Sequence, residues 1–97
     1  MTPKAPAVDE FPYLFQNRSG APTYCKSYSE AVKMMQAQLM GLRQQFMKFD
    51  SDVVQRCDEA HYLVGKLGPD GGEVDVVISE YSDLRYRATL SKRESVL

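Results

Sequence analysis

The sequence predicts an α+β fold: a β-hairpin, a long helix or a helical hairpin, and a second β-hairpin. A heptad seam in the helical part suggests a helix-mediated dimer. Three patterns carry this expectation. Phe11, Tyr13 and Phe15 alternate near the start, which is the period of a strand. Tyr28, Val32, Met35, Leu39, Leu42, Phe46 and Phe49 recur at alternating spacings of 4 and 3, the period of a coiled-coil seam. Val74, Val76 and Ile78, then Leu84, Tyr86, Ala88 and Leu90, return to period two.

Each element has its own local reason. Residues 1–10 are rich in Pro and Ala without periodicity and are expected to form a disordered arm. The single α+β domain is expected over residues 11–91, with a frayed tail at 92–97. Pro12 cannot donate a ladder hydrogen bond, so the first strand is expected at a sheet edge. The run Gln16-Asn17-Arg18-Ser19-Gly20-Ala21-Pro22 is dense in turn formers. Thr23-Tyr24-Cys25-Lys26 then supplies a short returning strand, so residues 11–26 read as a β-hairpin. Ser27 and Glu30 stand three apart, the spacing of a capping box that opens a helix.

Past Phe49 the pattern meets Asp50-Ser51-Asp52, and Val53, Cys57, Ala60, Val64 and Leu67 form a second apolar stripe. Either these three residues turn the chain, or one helix runs from about 28 to 67. The two stripes stay nearly in phase at ~100° per residue, and the junction lacks Gly, Pro and Asn, which favours the single helix. Against it, Asp and Ser are good caps and poor helix-interior residues. A single helix would be ~60 Å long and would need a partner, most simply an antiparallel copy of itself. A helical hairpin would instead bring both β-hairpins to one end and make a four-stranded sheet in one chain. Gly68-Pro69 is expected to end the helix. In the final hairpin, strand parity sets Asp75 opposite Arg87 if Val76 faces Tyr86. Tyr81-Ser82-Asp83 supplies its turn.

Composition excludes several function classes. Twelve basic and 13 acidic residues in 97 leave a formal charge of −1, which does not suit a general nucleic-acid coat. No apolar run is long enough to span a membrane, and the first ten residues do not read as a secretory signal. Two cysteines make no disulfide framework, so a cytoplasmic setting is expected. Asn17-Arg18-Ser19 matches a glycosylation sequon without that context.

No motif carries a persuasive chemistry. Cys57 and His61 stand four apart and share a helix face. A zinc site needs about four ligands, and Cys25 and Asp58 would have to join them. A nucleophilic thiol should be exposed and electropositively placed, whereas Cys57 lies on the apolar stripe beside Asp58 and Glu59. Asp50/Asp52 and Asp58/Glu59 read as a turn and a solvated face, not as carboxylates across a cleft. Gly68–Gly72 follows a helix, the reverse of a phosphate loop. Ser95-Val96-Leu97 fits a carboxylate-capture pocket only by its last three residues. No catalytic residue, metal or cofactor is therefore expected.

Met40 and Met47, seven apart, lie about 100–120° off the seam. They either widen the core beneath a sheet or form an adaptable binding row, for which flexible sulfur-bearing side chains are suited. The expectation is thus a non-enzymatic protein-interaction or regulatory module, such as an inhibitor, adaptor or assembly subunit. Met40, Met47, Arg43 and Gln36 would meet the protein partner. Val32, Met35, Leu39, Leu42, Phe46 and Phe49 would form the seam of a homodimer. The alternative is a nucleic-acid-binding regulator using Arg85, Arg87, Lys92 and Arg93, although Tyr86 points to the opposite face from the two strand arginines.

Overall fold

The computed structural model describes residues 6–18, 20–79 and 84–94. The elements run β1 (Tyr13–Asn17), β2 (Thr23–Cys25), α1 (Tyr28–Phe46), α2 (Ser51–Val64), β3 (Gly71–Ser79) and β4 (Leu84–Lys92). The four strands form one antiparallel sheet in the order β2-β1-β4-β3, with the two helices packed on one face.

The helical part is a hairpin, not a continuous rod. This corrects the single helix favoured by stripe phase. Asp50 takes an extended backbone at φ −147° and accepts from the amides of Asp52 and Val53 at 3.0 and 3.2 Å. Asp50 N–H in turn donates to the Phe46 carbonyl at 3.1 Å. One carboxylate thus satisfies two otherwise orphaned amide donors of a helix start. The phase agreement has a different cause: both stripes face the same sheet. The hairpin returns β3 and β4 to the first hairpin, and β1 pairs with β4 from Tyr13↔Lys92 to Asn17↔Ala88.

That pairing overturns the edge position expected from Pro12. β1 lies between β2 and β4, and Pro12 precedes the strand, where its carbonyl still accepts from Arg93 N–H at 2.7 Å. The ladder accordingly reaches past residue 91. Residues 1–5 of the expected arm, the turn at Tyr81-Ser82-Asp83 and the final Ser95-Val96-Leu97 lie outside the described residues.

Local chemistry explains the other boundaries. Ser27 Oγ accepts from Glu30 N–H at 3.1 Å, and the Glu30 carboxylate accepts from Lys26 N–H at 2.9 Å. The box closes one residue earlier than the usual reciprocal bond. α2 stops at Val64 with Gly65 as its cap, three residues before the stop expected at Gly68. Gly71 opens β3 at φ +101°, a conformation that L side chains rarely adopt. The β3/β4 register is one that parity allows: Val76 faces Tyr86, and Asp75 faces Arg87.

The core lies between sheet and hairpin. Phe15, Val74, Ile78, Tyr86, Ala88 and Leu90 from the strands meet Met35, Leu39, Val53, Cys57, Ala60 and Val64 from the helices. The buried Tyr86 hydroxyl donates to the Met35 carbonyl at 3.4 Å. Its pKa is pushed up to about 12 by burial. The Tyr13 and Tyr28 rings meet edge to face at 5.7 Å, and the Tyr28 hydroxyl donates to the Leu67 carbonyl at 2.8 Å. These contacts fix the helical layer on the sheet and leave its outer side to solvent.

Candidate binding surface on the helical hairpin

Among the described residues, five of the six exposed large apolar side chains lie on the helical hairpin. Met40 is 43% exposed, Met47 55%, Tyr62 64% and Leu63 51%, and Phe49 in the connecting turn is 85% exposed. Placement follows from helical period. Met35 and Leu39 point at the sheet, and Met40 and Met47 fall on the side away from it. The methionines therefore do not widen the core. On α2, Val53, Cys57, Ala60 and Val64 are buried, so Tyr62 and Leu63 turn outward. Their position was readable from that stripe, since neither falls on it. Phe49 belongs to the seam by spacing alone. The turn ends the helix before it, and its ring is left outside.

The other seam residues sit within the chain. Met35 and Leu39 are fully buried, and Val32, Leu42 and Phe46 pack against the same core. Met35 and Leu39 cannot meet a partner helix while this fold stands, and Val32, Leu42 and Phe46 keep only part of their surface exposed. The heptad reading was sound as periodicity. Its target is the chain's own sheet and second helix.

Arg43 ties the two helices together. Its Nε lies 2.6 Å from Asp58 Oδ1, and one of its terminal nitrogens donates to Met47 Sδ at 3.3 Å. It is half-buried and already engaged, so it braces the surface and holds Met47. Gln36 is also half-buried, near Gly65, the cap of α2. Next to the methionines, Gln55, Asp58, Glu59, Tyr62 and Leu63 line a shallow depression. Lys66 Nζ stands 5.1 Å above the Tyr62 ring. Apolar area bounded by charges of both signs is the common make-up of a protein-binding patch.

Cys57 and His61 share a face as their spacing requires. With Leu39, Met40, Arg43 and Asp58 they border a cleft of about 40 Å³. The Cys57 thiol is buried, and burial pushes its pKa up, with Asp58 adding to the rise and Arg43 opposing it. Burial likewise raises the Cys25 thiol, with Glu30 adding to it. Both are free cysteines. A protonated, enclosed thiol is a poor nucleophile. Among the described residues, no group of three His, Cys, Asp or Glu side chains is placed to hold a metal.

The basic residues are dispersed. Arg85 and Arg87 project from the outer sheet face, opposite Tyr86. Arg87 pairs with Asp75 at 3.0 Å and lies 3.9 Å from Glu73, and Arg85 lies 3.7 Å from Asp75. Arg93 donates to the Phe11 carbonyl at 3.0 Å and stacks 4.6 Å above Tyr24. Lys92 is exposed at the end of β4. Two arginines and two carboxylates on one sheet face leave it near neutrality. Among the described residues, no helix is long and apolar enough to cross a membrane. Comparison with family models, curated proteins and solved structures finds no match to this chain.

Proposed function

We propose that this chain is a small non-catalytic interaction and regulatory module. It binds a protein partner through the outer face of its helical hairpin and works as an inhibitor, adaptor or assembly subunit. One observation carries the reading: Met40, Met47, Phe49, Tyr62 and Leu63 are all exposed on this one layer. Covering a large apolar side chain contributes about 1.5–3 kcal/mol, and tyrosine and methionine suit the centre of such contacts. The free, buried Cys25 and Cys57 favour a reducing compartment such as the cytoplasm. The nucleic-acid alternative has weaker support, because Arg85 and Arg87 already have carboxylate partners.

A photoreactive side chain placed at Met40 or Tyr62, and separately at Glu73 on the sheet, tests the reading in native cells. The helix-face positions should label one discrete protein, and the sheet position should not. Met40→Glu with Met47→Glu should weaken the labelling from Tyr62 at least tenfold while the fold is retained. Labelling from Glu73 alone, or labelling that survives the double substitution, would overturn the proposal.

A further inference from the structure

We propose that the partner seated on this helical face is a second copy of the same chain, related by a two-fold axis running along the groove between α1 and α2. The inference rests on the docking face proposed above and names its occupant. Such an axis lays α1 of one copy over α2 of the other and keeps every residue at its own height along the helices.

Charge favours that arrangement over its alternative. Residues 28–49 carry Lys33, Arg43 and Lys48 against Glu30, and residues 50–66 carry Asp50, Asp52, Asp58 and Glu59 against Arg56 and Lys66. With the Arg43–Asp58 pair satisfied within the chain, the halves keep net charges of +1 and −1. An axis along the groove sets the positive half on the negative half. An axis across the helices sets each half on its own like charge, which is repulsive. At the turn end of the layer, Lys48 of one copy comes near Asp52 of the other.

Shape points the same way. The Arg43–Asp58 pair, and the Gln36 amide nitrogen 3.9 Å from where a Cβ on Gly65 would stand, fix the heights of the two helices. On that scale Leu63 lies between Ala37 and Gly41. Leu63 stands about 140° around α2 from Asp58, and Ala37 and Gly41 stand about 120° and 160° around α1 from Arg43, at ~100° per residue. All three therefore occupy the flanks away from the intrachain groove. Ala37 and Gly41 are exposed, and a Cβ on Gly41 would meet nothing within 4 Å. The two-fold brings Leu63 of one copy over this hollow in the other. Phe49, in the turn that joins the helices, falls near the axis beside its symmetry mate.

The overlap is set by the shorter helix. The 14 residues of α2 extend roughly 21 Å, and two adjacent helices are about 20 Å across. Two such faces remove about 840 Å² from water, the size of a weak, concentration-dependent contact.

Light scattering behind a sizing column, across a concentration series, should give twice the 11.0 kDa of one chain. Met40→Glu with Leu63→Glu should halve that mass, with circular dichroism unchanged. Geometry is tested separately by cysteine pairing. Mixing Ala37→Cys chains with Leu63→Cys chains should yield a covalent dimer on mild oxidation, and neither variant alone should. A single-chain mass at every concentration, or a dimer indifferent to both tests, would overturn the inference. A monomer whose Met40 and Met47 positions still label a different protein would overturn the self-pairing and leave the docking face standing.

Discussion

Replacing Gly71 by alanine should be among the most damaging one-methyl changes this chain can take. A Cβ built there would lie 1.9 Å from the Leu90 carbonyl oxygen and 2.6 Å from its carbon, with φ at +101°. Two costs add. Holding an L-residue at such an angle costs roughly 1–2 kcal/mol. The contact is with backbone, so it is relieved only by opening the start of the β3/β4 ladder, where Gly71 pairs with Ser91 and Gly72 with Leu90. Losing one or two of those bonds costs about 0.5–1.5 kcal/mol each. The total is about 2–5 kcal/mol, against a stability of about 5–15 kcal/mol for a domain of this kind. Gly72→Ala is the control. Its Cβ would meet the Leu67 side-chain tip at 2.7 Å, which can rotate away, so its cost should be about 1 kcal/mol or less. Urea unfolding followed by circular dichroism gives both values. Equal stability of Gly71→Ala and the parent chain, within ~0.5 kcal/mol, would refute the backbone-clash argument.

Asp50→Ala removes the carboxylate that caps α2 and should cost about 1 kcal/mol. Asp50→Asn should recover most of it, and chemical denaturation of the three chains checks both. Tyr86 supplies an alkaline limit. Its folded pKa of about 12 lies above the ordinary value of 10, so the unfolded chain releases the proton first. The stabilisation is complete below pH 10, is lost as pH rises from 10 to 12, and totals about 2–3 kcal/mol. Tyr86→Phe should flatten that part of a stability–pH curve, apart from the contribution of the buried Cys25 and Cys57 common to both chains.

Much of the architecture was legible because it is written in local periods and caps. Period two placed β3 and β4 and made Asp75 opposite Arg87 one of the registers parity allows; the structure takes that one. The Ser27–Glu30 spacing opened α1 where the backbone opens it. The helix break is a harder case, because Asp50 reads equally as a solvated interior residue and as a cap. Phase favoured continuity because two helices that share one sheet must present stripes in similar phase. Pro12 misled for a similar reason: a missing donor argues for an edge only if the proline lies inside the strand, and β1 begins after it.

The candidate surface divides along the same line. Met40 and Met47 were identifiable as off the seam, which is a property of spacing. Their exposure, and that of Tyr62 and Leu63, required knowing that α2 folds back beside α1 and leaves both outer flanks uncovered. The sequence by itself determined the strand and helix periods, the capped helix start, the absence of a basic footprint and the sulfur-rich row. Only the tertiary structure decided that the seam residues Met35 and Leu39 belong to an intrachain core, that β1 is central, and that Arg85 and Arg87 are neutralised by Asp75 and Glu73. Periodicity fixes which residues share a face, but which body covers that face is decided by long-range packing, and that is not encoded in the spacing.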